Sequence, residues 1–213
     1  SLVFSLKIFV PATSNMLLAE MSTTAGSCTV NMNVWAKQGF ESRTDSGQKG
    51  NVYYAQRHFD SSGLDWQTHV AIAAAVIGAK GQSFVVKPSA KVILAAGICT
   101  NHENNDYLTT AIARAKNTTA ASVKSLKQKN DRWWEEFWNK SQISIGDTML
   151  EKYYYGSQYL LACCSRNKKF PPGLCGNVIT DDAKRTWQGD YHTNYNYEAT
   201  WWACYSSNHI ELT

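Results

Sequence analysis

The sequence predicts a β + α protein in which antiparallel strands fill about the first hundred residues and helices most of the remainder. Two observations carry this. Apolar residues alternate with polar ones before residue 100 and recur at helical spacing after it, and the punctuation changes from Gly-rich turns to a Pro-Gly break.

The opening "SLVFSLKIFV" is apolar enough to raise a signal peptide, but it lacks an initiator Met and a basic leading region, and Ser5 and Lys7 interrupt the run. It reads as a strand, and a start at Ser1 points to a processed or incomplete polypeptide. In "SCTVNMNVW", Cys28, Val30, Met32 and Val34 share one face of a strand and Thr29, Asn31, Asn33 and Trp35 the other. "NVYYAQRHF", "QTHVAIAAAVIG", "QSFVVK" and "AKVILAAGI" continue the pattern, and "DSGQKGN", "DSSGLDW" and "GAKGQ" read as the turns between them. Strands joined by such short turns build antiparallel sheets, here part of a β-sandwich over residues 1–100.

From Asn101 the period changes. "TTAASVKSLKQKNDRWWEEFW" sets Val123, Leu126, Trp133, Trp134 and Phe137 at helical spacing behind an N-cap at Thr118 or Thr119. A second helix starts at Asp147, with Leu150, Tyr153, Tyr154, Ser157 and Leu161 in line. "KKFPPGLCGN" breaks it and opens a loop from Phe170 to about Thr193, and a third helix begins near Asn196.

Composition narrows the function. With 44% hydrophobic and 18% charged residues the chain is globular, and a formal charge of +4 without a run of five like charges argues against a nucleic-acid partner. Lys124, Lys127, Lys129 and Arg132 beside Trp133 raise that partner again, but they read as the solvated face of the long helix. No window reaches the roughly 20 apolar residues of a membrane span, so no membrane partner is expected. The six cysteines form no C-x-x-C pair, so neither a metal nor a cofactor is expected. They are buried thiols or partners in a disulfide; sequons at Asn117 and Asn139 lean toward a secreted or lumenal location.

Six of eight tryptophans and eight of eleven tyrosines lie at or beyond Trp133, so the helical part carries the aromatic load. Within it "GDYHTNYNYEATWW" crowds rings, amides and charges into one stretch. Burying unpaired polar groups and exposing large apolar ones both cost free energy, so the mixture reads as the wall of a site. Rings that stack on sugars and amides that meet hydroxyls make a carbohydrate the expected partner.

The runs "RWWEEFWNKSQISIGD", "YYYGSQYLLACCSRNKKFPPGLCGN" and "TWQGDYHTNYNYEATWWACYSSNHIEL" resemble, in order and spacing, glycoside hydrolase family 95, the inverting α-L-fucosidases and their relatives, over about half the chain. The resemblance implies a β-sandwich over 1–100, a helical linker over 101–145 and, from 146 to 213, the first helices of an (α/α)6 catalytic barrel. In that family a PP-x-L-x-G loop leads to an N-x-N pair, a Glu or Gln and an aromatic pair, positions filled here by Asn194, Asn196, Glu198, Trp201 and Trp202.

The resemblance implies that Asn194 and Asn196 hold the attacking water, since two amide oxygens can accept both its protons. They would converge if the backbone there is extended and would diverge by roughly 200° if both were helical. The plainer alternative is a helix cap. Asp190 and His192 bind a sugar hydroxyl, tune each other's protonation or brace the loop, and Glu198 contacts substrate or the helix dipole. Trp187 and Trp201 are the expected sugar-binding rings, whereas Trp133, Trp134 and Trp138 read as core and Cys175 as unreactive. The family's general acid lies further along its chain than Thr213, which implies a fragment, a nicked product or a second chain that completes the barrel, with this chain inactive alone. A non-catalytic carbohydrate-binding protein is the alternative.

Overall fold

The computed structural model describes residues 2–39, 42–60, 63, 65–165, 169–174 and 190–213. Eight strands come first: β1 (Phe4–Phe9), β2 (Met16–Thr23), β3 (Cys28–Asn31), β4 (Ser42–Lys49), β5 (Val52–Phe59), β6 (Thr68–Ile77), β7 (Ser83–Val86) and β8 (Val92–Thr100). Four helices follow, α1 (Tyr107–Lys116), α2 (Ala120–Trp138), α3 (Thr148–Ser165) and α4 (Tyr195–Ser206), and a 3-10 turn at Ile210–Leu212. They fall into two compact units, Ser1–Asn130 and Asp131–Thr213. Among the described residues no helix is long and apolar enough to cross a membrane.

In the first unit six strands form one sheet in the order β1-β2-β8-β6-β5-β4, and β3 pairs with β7 in a separate ribbon, every ladder antiparallel. Alternation sends Met16, Leu18, Ile93, Ala95 and Cys99 to one face, where α1 and Val123 of α2 cover them. On the other face Met21 and Val92 pack with Phe84 and Val86 of the ribbon.

Two expectations need correction here. "DSGQKGN" is not a turn throughout: Asp45–Lys49 belong to β4, and Gly50 at φ 61° with Asn51 makes a two-residue hairpin loop. β4 lies at the end of the sheet and most of its side chains face solvent, so polar residues suffice there. The alternation in "SCTVNMNVW" also ends early, with β3 stopping at Asn31.

The helix α1 lies close to β8 because Gly97 has no side chain. A Cβ there would stand 2.5 Å from Cβ of Arg114 and 2.6 Å from the carbonyl oxygen of Ala111. Arg114 then donates to the Ile98 carbonyl and to the Glu103 carboxylate, and Asn15 Nδ2 donates to Glu103 at 3.2 Å. The Arg114 hydrogen bond holds the Glu103 carboxyl below its ordinary range. We expect Gly97→Ala to lose about 1–3 kcal/mol of stability in urea denaturation, the cost of overpacking; an unchanged midpoint would show that α1 yields freely.

The caps follow the sequence. Thr119 Oγ1 accepts the Ser122 N–H at 3.1 Å and Ser122 Oγ accepts the Thr119 N–H at 2.9 Å, a reciprocal cap on α2. Asp147 accepts the N–H groups of Met149 and Leu150 at 2.9 and 3.1 Å at the start of α3. The expected line on α3 is displaced, because Leu150, Tyr153 and Ser157 are exposed while Gln158, Ala162 and Ser165 are buried. Apolar residues occur all round this helix, so the pattern does not select a face, and the small side chains of Ala162 and Ser165 permit close packing.

In the second unit Phe137 is the hub. Its ring stacks on Trp133 at 5.4 Å and on His209 at 3.9 Å, and meets Trp134 and Trp138 edge-on at 5.5 and 4.9 Å. Ala162, Cys204 and Leu212 close this cluster, so Trp133, Trp134 and Trp138 pack against the core as the sequence predicts. The described cysteines Cys28, Cys99, Cys163, Cys164 and Cys204 are free thiols; Cys175 lies outside the described residues.

Candidate functional site

The approach to α4 carries the polar half of the expected site. Pro171 and Pro172 cannot continue a helix, and the chain there is irregular. The Leu174 N–H donates to the Asp190 carbonyl at 2.9 Å and the Tyr191 hydroxyl to the Pro171 carbonyl at 3.1 Å, which ties the two described segments together. Residues 175–189 lie outside the described residues, and Trp187 with them.

Asp190 and His192 form one unit. The carboxylate contacts Nδ1 of the imidazole, and because a carboxylate only accepts, that nitrogen carries the hydrogen. His192 sits at φ 40°, in the left-handed region, and its carbonyl accepts the Asn194 N–H at 2.8 Å and the Tyr197 N–H at 3.3 Å. This turn sets the direction in which α4 begins.

Asn194 is the N-cap residue of α4, extended at φ −95° and ψ −153°, and its carbonyl accepts the Glu198 N–H at 3.2 Å. Its side chain makes no capping hydrogen bond. Asn196 is already helical and half-buried, so the two asparagines are neither both extended nor both helical. The divergence of two helical neighbours therefore does not apply to them. Glu198 stands in the first turn, where its charge meets the positive end of the helix dipole.

The apolar half is a cleft of about 410 Å3 along α4. Tyr197, Trp201 and Tyr205 fall at i, i+4 and i+8, flanked by Glu198 and Trp202, with Pro171 and Pro172 opposite. Burial pushes the Tyr197 hydroxyl above its ordinary pKa, and the Trp201 indole beside it offsets part of that. Glu198 and Trp201 are thus brought together, whereas Asn194, Asn196, Asp190 and His192 are placed at the mouth of the helix and do not line the cleft. Tyr197, Tyr205 and the prolines are additions to the predicted set. The four-residue spacing of Tyr197, Trp201 and Tyr205 is the sequence signal that marks the two tyrosines.

Behind the cleft His209 is 1% exposed, stacked on Phe137, with Nδ1 3.4 Å from Glu211. Burial alone would raise the Glu211 carboxyl; hydrogen bonds from Lys140, its own backbone and His209 carry it below the ordinary range. Among the described residues no group of three or more His, Cys, Asp or Glu side chains is placed to hold a metal ion.

Residues 108–213 match the family model of the glycosyl hydrolase family 95 catalytic domain. No curated protein matches the chain.

Proposed function

We propose, on the premise that residues 108–213 belong to the glycosyl hydrolase family 95 catalytic domain, that this part of a glycoside hydrolase acts on a carbohydrate by inversion at a fucoside-like substrate. Asn194 and Asn196 orient the attacking water, Trp187 and Trp201 stack on the sugar, and Asp190, His192 and Glu198 bind its hydroxyls. Inversion needs a base-activated water on one face and an acid on the other, the carboxyl groups about 6.5–9.5 Å apart. The acid is assigned to residues outside this chain, in a further portion of the polypeptide or a second chain that completes an (α/α)6 barrel.

The observation that carries this reading is the state of Asn194. It occupies the cap position, yet its amide is not spent on the helix. The amide of a purely structural Asn at an N-cap would bond the N–H two or three residues on. Here that amide is left at the positive end of α4, where hydrogen-bonding groups can meet a water and a polar substrate.

The test is the anomer released first by the complete enzyme. NMR of aryl α-L-fucoside hydrolysis is expected to show the β-anomer before mutarotation, with no turnover by the 213-residue chain alone. First release of the α-anomer would overturn inversion, and sugar binding without turnover by the complete enzyme would make this a binding protein.

A further inference from the structure

At one end of the first unit's sheet, His58 of β5 and His69 of β6 are direct cross-strand partners, and their Nδ1 atoms stand 3.3 Å apart. The other nitrogen of His58, Nε2, lies 3.0 Å from Asp45 Oδ2 on β4, and the Tyr107 hydroxyl at the start of α1 lies 3.4 Å from His58 Nδ1. Asn101 clamps the His69 backbone from both sides: its Oδ1 accepts the His69 N–H at 2.7 Å, and its own N–H donates to the His69 carbonyl at 3.0 Å. The His58 side chain is 6% exposed. The contact is therefore held by four elements and is not a chance meeting of two mobile rings.

We infer that His58 and His69 form a proton-operated clasp that joins β4, β5, β6 and the first turn of α1 while at most one of the two rings is charged, and that opens when both are. The proton positions follow from the partners. A carboxylate only accepts, so His58 carries its hydrogen on Nε2 toward Asp45, and its Nδ1 lone pair faces His69. A neutral His69 with Nδ1–H donates into that lone pair. With one added proton the bond survives, because a single hydrogen lies between the two Nδ1 atoms whichever ring it belongs to. With two, both Nδ1 atoms carry hydrogens 3.3 Å apart in a partly desolvated site, and the contact becomes repulsive.

Arg43 and Asp45 face the pair from β4; Asp60 pairs with Arg43 at 2.8 Å; His102 Nε2 bonds the Thr68 hydroxyl at 2.9 Å; Tyr107 is the group from α1. Burial, then the neighbouring His58, holds His69 below its ordinary value, and Asp60 offsets this only in part. For a histidine depressed in the folded state the unfolded chain binds more protons. Stability is therefore full above about pH 6.5 and falls as pH drops from there through the folded pKa. The device lies in the first unit and does not depend on the proposed function.

Two measurements test it. In isotope-labelled protein the His69 ring is expected to titrate clearly below the ordinary histidine value of about 6.5, with the His58 ring signals responding to that step. In thermal melts His69→Gln, which can still donate to His58 but cannot charge, is expected to flatten the fall of the midpoint between pH 7 and 5 by about one bound proton's worth. A His69 titration at or above about 6.5 would overturn the clasp, as would the same pH dependence in a folded His69→Gln protein. The ring titration is read on the unaltered protein, so a variant that fails to fold leaves it decisive.

Discussion

Replacing Asn194 or Asn196 by alanine in the complete enzyme is expected to lower kcat by about two or more powers of ten while KM stays within a few-fold, as for loss of one preorganised polar contact at an active site. The split arises because orienting a water matters chiefly in the transition state. A cap role makes the opposite forecast, a loss of roughly 0.5–2 kcal/mol in stability with turnover retained. The Asn194 side chain makes no capping bond, so even that loss should be small at this position. Measuring kcat, KM and thermal midpoint on an aryl fucoside and on other aryl glycosides separates the two. Turnover within a few-fold of the parent in both variants would remove the asparagines from the mechanism.

Phe137→Ala is expected to cost about 3–5 kcal/mol, the range for truncating a fully buried large ring. Phe137 is 3% exposed, and the substitution removes four aromatic partnerships at once, including the stack on His209. His209 would then sit in its apolar surroundings with a void on one side. Since Trp133, Trp134 and Trp138 surround the position, tryptophan fluorescence during urea denaturation reads the loss directly. Phe137→Leu should recover most of it by refilling the space. A loss under about 1 kcal/mol for the alanine variant would show that the tryptophans collapse into the gap.

Strands β5 to β8 were legible because each alternates or runs apolar between clear turns. β2 was not. Met16–Thr23 is covered on both faces for much of its length, so its apolar run lacks the alternation that marks a half-exposed strand. α1 escapes for another reason: its buried positions are Ala111 and Ala115, chosen for closeness to Gly97, and small residues leave little trace in an apolar pattern. At the candidate site the motif "NYNYEATWW" located the start of α4 to within a residue, and Glu198 and Trp201 meet in one cleft. An interaction of Asp190 with His192 was legible from their two-residue spacing, whereas the left-handed backbone at His192 is invisible to any count of spacing.

The approach of α1 to Gly97 also bears on how this sequence can drift. One obstacle to a side chain at position 97 is the backbone carbonyl of Ala111, and no change of residue type in α1 can remove a carbonyl. Compensation by a second substitution, the usual escape for a crowded pair of side chains, is closed; only a bodily shift of the helix would admit a larger residue. In a saturation scan, position 97 should therefore tolerate almost nothing while its strand neighbours accept conservative exchanges, and no partner mutation in α1 should rescue it.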